Sequence, residues 1–299
     1  MPSDERPAAW AWVRKYTWAM ILSFGPDAAA LSPAALALAL PSVVALACYV
    51  AAAMPGERFS AGLRRALLVG WIAQGLSIVI DVTGIGSNVA GIRFGFAPAL
   101  SITLWTVLAV YELESQFVPL PGARRALASC GVVVVVLAWI FPGQVHPQAA
   151  SVWAPLHWLL GIASYALFGV AVLHALLLSR AERQMRRTAL APGAPTAGLP
   201  ILRLERLTFR FVAAGFVALS AAIVLGAWFT VPWRWDSKSL FSILSWIVFA
   251  GLLAGRRAFG WRGPKAASWL YAGAALLLLA YVGSRFVLEV MLGGSPPVT

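Results

Sequence analysis

Three histidines occur in the 299 residues, and their spacing splits them into two groups. His146 and His157 lie close together around Pro147 and Pro155. His157 opens an apolar run and is flanked by Trp153 and Trp158. His174 follows 17 residues later, about 25 Å farther along a helix that rises 1.5 Å per residue. Histidine is costly in lipid and faces a partner or a cavity, and its neutral imidazole is a ready metal ligand. His157 therefore has two readings: an interfacial histidine bonded to a loop, or a ligand to a metal or haem iron at the membrane surface. His174 reads as a packed contact between helices. His146, beside Pro147, reads as a solvated loop residue.

A second concentration of chemistry is Val231-Pro232-Trp233-Arg234-Trp235-Asp236-Ser237-Lys238. Interfacial tryptophans are common in membrane proteins. Asp236, three residues before Ser239, is a good N-cap for the apolar run that follows. Each residue is ordinary alone, but Trp233, Trp235, Arg234, Lys238 and Asp236 within six positions are not. An aromatic platform beside cations suits a flat, apolar macrocycle with carboxylate side chains, and a helix N-terminus adds a weak anion preference. Arg285, near the end of the last apolar run, is a further candidate cation by charge and side. Ser239, Ser242 and Ser245 continue as a stripe at helical spacing with Trp246 and Phe249, the pattern of a tight helix–helix contact. Gly161, Ser164 and Tyr165, on the turns below His157, would let a planar ligand approach the backbone.

These residues must be positioned by membrane helices. Hydrophobic residues make up 61% of the chain and charged residues 11%, against about half and about a quarter in a soluble domain. That excludes a soluble enzyme and a disordered chain, and the lack of strand-like alternation excludes an outer-membrane barrel. The expected fold is all-α: a polytopic membrane helical bundle. Eight segments have the apolar length a span needs, at roughly 33–54, 66–82, 97–117, 126–142, 155–179, 209–230, 238–255 and 266–288. Cys48 and Cys130 are far apart inside such runs, without a CxxC, and read as small hydrophobes. The chain has no P-loop, GxSxG, HExxH or dinucleotide fingerprint. Asp81, Glu112 and Glu114 lie near span ends, so no paired carboxylates mark a proton relay within the membrane.

The formal charge of +12 is not a nucleic-acid signature, because sixteen of the 23 positives fall in alternate loops. These are Arg58, Arg64 and Arg65; Arg124 and Arg125; Arg180 to Arg210; and Arg256, Arg257, Arg262 and Lys265. The positive-inside rule places those loops in the cytoplasm and both termini outside. Residues 1–32 form an N-terminal tail. Its stretch Trp10–Leu22 looks like an interfacial helix, unless Met20 is the true start. It does not read as a cleaved signal peptide. The membrane domain is expected over 33–290 with a short tail over 291–299. Ala191–Pro200, rich in Pro, Gly and Ala, is expected to be a mobile linker.

Four colinear features carry a family resemblance. They are Pro155-Leu156-His157 with Ser164-Tyr165; Leu204-Glu205-Arg206 with Phe209; Trp233 to Lys238 with Ser242-Ile243-Leu244-Ser245-Trp246; and Gly260-Trp261-Arg262-Gly263 with Tyr281-Val282-Gly283-Ser284. Over residues 155–290 the chain resembles the cytochrome c assembly superfamily of haem-handling membrane proteins (CcsA, CcmC and HemX-like), in particular the YpjD-like inner-membrane group. The resemblance implies haem, here haem b, held at the outer face of a bacterial inner membrane by a tryptophan-rich segment and two outer histidines. His157 matches the first histidine. The second follows the last helix in the family, where this chain reads Leu288 to Leu292 without a histidine; the iron is then expected to be five-coordinate through His157 or six-coordinate with His146 or Met291. The family's Trp-Gly falls on Phe229 and Thr230, the Pro and Glu flanking the lysine fall on Ser237 and Ser239, and the synthetases' intramembrane histidine falls on Ala254. The resemblance therefore implies a haem-binding assembly factor and not a complete synthase. Arg234, Lys238 and Arg285 are candidates for the propionates by charge and side. The expected partners are lipid, haem and other assembly or inner-membrane proteins. The alternatives are a haem-free regulatory or scaffolding subunit, or a haem exporter using His174.

Overall fold

The computed structural model describes residues 33–55, 60–83, 85, 92–115, 123–141, 144–146, 153–188, 198–229 and 236–283. Among these are eight long helices. They are α1 (Pro33–Ala53), α2 (Ser60–Thr83), α3 (Phe96–Ser115), α4 (Ala123–Ile140), α5 (Ala154–Thr188), α6 (Gly198–Phe229), α7 (Ser237–Phe259) and α8 (Gly263–Leu278). α8 ends in a π turn, Leu279–Gly283. Seven of the helices are long and apolar enough to cross a membrane, and α1 adds the shorter apolar stretch Leu38–Ala53. The chain is thus a helical, multi-span membrane protein.

Two short strands, β1 (Ile92–Phe94) and β2 (Gln144–His146), pair antiparallel and set Ile92 opposite His146. His146 therefore lies in a strand that ties the α2–α3 and α4–α5 connections together, not in a plain loop. Two other boundaries differ from expectation. α5 runs to Thr188 because Ala181 to Arg187 is a run of good helix formers. α6 begins at Gly198, within the expected linker, because Pro200 sits in its first turn, where no intrahelical amide is needed. Residues 189–197 of that linker lie outside the described residues.

Two apolar cores share α5. One gathers α1 to α4 around Tyr49, Leu67, Leu108 and Leu127, with Val170, Leu173 and Leu177 of α5. The other gathers α5 to α8 around Phe168, Val212, Phe249 and Leu270. Lipid is as apolar as leucine, so close packing and buried hydrogen bonds must hold these helices together. The Tyr49 ring fills the space beside Gly131, where a Cβ would meet it at 2.7 Å. Phe168 and Phe249 stack with ring centroids 3.7 Å apart. α2 is tied to α3 reciprocally: each indole of Trp71 and Trp105 donates to the other's carbonyl at 2.9 Å. One turn away Tyr49 donates to Gln74, which donates to the Ser101 carbonyl and hydroxyl.

The pairs α2 and α3, α5 and α6, and α6 and α7 run antiparallel, as the contacts between their ends show. Arg64, early in α2, lies 3.8 Å from Glu112, late in α3. Arg256, late in α7, lies 3.0 Å from Glu205, early in α6. His157, early in α5, meets Ala222, late in α6. One end of the bundle therefore collects Arg64, Arg124, Arg256 and Arg262, and the opposite end collects His157, Asp236 and Lys238.

Candidate functional site

The end of the bundle opposite the arginines holds a cavity of about 270 Å³. Five helices build it. α3 contributes Ala99 and Thr103, α5 contributes His157 to Tyr165, and α6 contributes Leu219 to Gly226. α7 adds Lys238 to Ile243, and the end of α8 with its π turn adds Leu277, Tyr281 and Val282. From His157 to Tyr165 the wall descends eight residues, about 12 Å of helix.

His157 stands half-buried at the rim. Its Nδ1 lies 2.9 Å from the Ala222 carbonyl oxygen of α6. A carbonyl only accepts, so Nδ1 must carry the proton. Nε2 of the neutral ring is then a bare lone pair, and no bond to it is made among the described residues. This is the arrangement in which a histidine ligates a metal, one ring nitrogen fixed by a carbonyl and the other presented. The imidazole passes over Gly226, where an added Cβ would stand 3.0 Å from Cε1.

The deeper wall is apolar in effect although it contains hydroxyls. Thr103 donates to the Ala99 carbonyl at 2.8 Å and Ser164 to the Gly161 carbonyl at 2.7 Å. Tyr165 donates to the Leu277 carbonyl. Gly161 faces open space, with nothing within 4 Å of an added Cβ. Each of these three hydroxyls already donates its proton to a backbone carbonyl.

The rim heads come from α7. Asp236 has extended backbone and accepts from the Ser239 amide at 2.7 Å, the N-cap the spacing predicted. Partial burial pushes its carboxyl up, but the hydrogen bonds from Ser239 and the nearby Lys238 ammonium outweigh this and hold it below the ordinary carboxylate range. Lys238 lies over the Tyr281 ring, 5.7 Å from its centroid. The serine stripe of α7 divides. Ser239 and Ser242 line the cavity, while buried Ser245 donates to the Gly273 carbonyl at 2.9 Å and makes the expected helix contact.

The other sequence candidates fall as follows. His157, Asp236 and Lys238 come together at one cavity, as do Gly161, Ser164 and Tyr165. His174 is not part of it; it is fully buried on α5 and its Nε2 lies 2.6 Å from Glu114 Oε2 of α3. The contact between helices expected there is a polar pair. Trp233, Arg234, Trp235, Arg285 and Met291 lie outside the described residues. Sequence reading missed Ala222 and Gly226 on α6 and Thr103 on α3. A lone glycine late in a helix was the available signal, since such a glycine usually has a packing reason. Among the described residues no group of three or more His, Cys, Asp or Glu could hold a bare metal ion.

Residues 59–292 match the family described as Cytochrome C assembly protein. The chain belongs to that family. Every residue lining the cavity lies inside the matched span. This cytochrome c assembly family member is 28% identical over 211 residues to the inner membrane protein YpjD of Escherichia coli (strain K12), covering 69% of this chain and 77% of that protein. It is 23% identical over 223 residues to the cytochrome c biogenesis protein CcsA of Prochlorococcus marinus, covering 63% and 71%. To the CcsA protein of Synechococcus sp. (strain CC9311) it is 27% identical over 222 residues, covering 62% and 73%. No solved structure matches the chain.

Proposed function

We propose that this protein binds haem b at the outer face of a bacterial inner membrane and serves cytochrome c assembly as a haem-handling factor. The observation that carries the reading is His157: Nδ1 tied to the Ala222 carbonyl at 2.9 Å and Nε2 left for iron at a cavity rim. The residues suit the group. Lys238 at the rim offers a cation to a propionate, and Leu219, Ile223, Leu277 and Val282 offer an apolar wall to the ring edge. On this reading the cavity of about 270 Å³ would receive part of a porphyrin and leave the rest protruding, which would suit a protein that presents haem to another. Trp233 and Trp235, adjoining the rim residue Asp236 in sequence, are the proposed platform for the protruding part. Arg234 and Arg285 are proposed as further propionate contacts, with His146 or Met291 as second iron ligand.

Haem bound there would supply an iron for His157 to ligate and two carboxylates for the rim cations. The chain's own residues orient and shield it: the Ala222 carbonyl holds the imidazole proton on Nδ1, Asp236 anchors the start of α7 so that Lys238 faces the rim, and the engaged hydroxyls keep the floor dry. Ala254 replaces the synthetases' intramembrane histidine, which supports a carrier and not a complete synthase. An exporter would call on His174, which is paired with Glu114 and absent from the cavity. The names of the relatives support the inner membrane and partners in cytochrome c biogenesis. The test is the visible spectrum of the purified protein, oxidised and reduced. A haem b spectrum is expected, and a colourless protein that takes up no added haem would favour a haem-free scaffolding subunit.

A further inference from the structure

We infer that Gly226 is a positioning residue, and that with Ala222 it forms a cradle on α6 that sets both the tautomer and the direction of His157. The inference deepens the haem-ligand reading of His157 and rests on it for its functional meaning. The cradle's geometry stands without it.

Ala222 and Gly226 are four residues apart in one helix. The amide of residue 226 is therefore the one that closes the helical hydrogen bond onto the Ala222 carbonyl. That carbonyl also receives His157 Nδ1 at 2.9 Å, so the imidazole must approach from the side, across the backbone of residue 226. Glycine leaves that approach unobstructed, whereas any side chain would crowd it. A Cβ at 226 would stand 3.0 Å from His157 Cε1, 3.5 Å from Nδ1 and 3.9 Å from Nε2. The nearest of these contacts is tighter than most real Cβ contacts, so the ring would have to shift by a few tenths of an ångström at the hydrogen bond. His157 has little room to follow, because its backbone is held in the first turn of α5 by a bond from its amide to the Trp153 carbonyl at 3.1 Å. Withdrawal would free Nδ1 and let the proton move to Nε2, the nitrogen meant to remain bare. Gly161 provides the contrast: it lines the same cavity, yet an added Cβ there meets nothing within 4 Å. The two glycines thus separate loss of cavity space from loss of histidine positioning.

The experiment uses the full chain in detergent, haem-free, with histidine ring nitrogens labelled and the His157 signals assigned by their loss in His157→Gln. Wild-type protein should show His157 as the single Nδ1–H tautomer at neutral pH. Gly226→Ala should convert this to a mixture and weaken binding of added haem about 10- to 100-fold, the usual effect of disturbing the group that orients a metal-ligating histidine. Gly161→Ala should leave the ring signals unchanged. A wild-type His157 protonated on Nε2 would overturn the cradle, whether or not the variant folds. Retention of both the Nδ1–H signal and haem affinity in Gly226→Ala would also overturn it. If the ring signals behave as stated and wild-type protein binds no haem, the cradle stands and the haem reading fails.

Discussion

At the residue scale the molecule separates three histidines by what surrounds each. His157 has one nitrogen held and one presented, His146 sits in a two-stranded pairing, and His174 is buried against Glu114. His157→Ala should abolish or strongly shift the haem spectrum, His146→Ala should change it less, and His174→Ala should leave it almost unchanged. An unaltered spectrum and haem content in His157→Ala would return that residue to an interfacial hydrogen bond. Asp236 and the tryptophans beside it should divide in a different way. Losing an N-cap costs about 1 kcal/mol, so Asp236→Ala should lower thermal stability modestly with or without haem. The sign of its pH dependence follows from the lowered carboxyl. Stability from the cap is fully present above the unfolded-state value near about 4 and is lost as pH falls through the folded value. The gap between wild type and Asp236→Ala should therefore be constant from neutral pH down to about 5 and close below about 4. Trp233→Ala and Trp235→Ala should instead lower haem occupancy more than apo stability, and equal losses would point to an interfacial belt.

The helices depend on close approach and on a few buried polar ties. Tyr49 occupies the face that Gly131 leaves bare, at a distance a Cβ would reduce to 2.7 Å. Overpacking such a contact costs about 1–3 kcal/mol. Gly131→Val should thus lower the midpoint of thermal unfolding in detergent, whereas Gly62→Ala, with nothing within 4 Å, should not. The His174–Glu114 pair fastens α5 to α3 at the end away from the cavity. Hydrogen bonds to charged groups contribute about 1.5–3 kcal/mol, so His174→Ala should destabilise by that order. A lowered midpoint with an unchanged haem spectrum would identify the pair as a structural tie. At the arginine-rich end, Glu205 gathers Arg256 and Arg262, and Arg256 also lies over the Phe209 ring at 3.5 Å. Two of the motifs that carry the family resemblance thus meet in one knot joining α6, α7 and the turn into α8. Its role is to hold those helices in register below the cavity they wall.

For the whole molecule, α5 belongs to both cores and so couples the α1–α4 half to the α5–α8 half. The cavity draws on both, with α3 from the first and α5 to α8 from the second. A fragment comprising the second half alone would lack the α3 wall. Orientation in the bilayer is a property of the whole chain as well. Arg64, Arg124, Arg256 and Arg262 lie at one end, and the positive-inside rule predicts that end to be cytoplasmic. Reporter fusions at Leu190 and at Pro297 should then give opposite readings, with Leu190 inside. A cytoplasmic reading at Pro297 would reverse the orientation and move the cavity mouth to the inner face.

The features legible in the sequence alone were those that depend on local chemistry or on one-dimensional counting. Apolar runs set the eight helices, arginine spacing set their alternation, and Asp236 before Ser239 announced the start of α7. Four short motifs were enough for the family resemblance. Hydropathy has little to say about helix rotation here, because lipid-facing and core-facing residues are both apolar. Which residues of each helix face one another was therefore decided only by packing. His157 meets Ala222 across 65 residues, His174 meets Glu114 across 60, and Tyr165 meets Leu277 across 112. A cavity exists only where those rotations bring Gly161, Gly226 and the start of α7 to a common space. Sequence supplied the histidine, and tertiary structure determined which of its nitrogens is hydrogen-bonded to the Ala222 carbonyl.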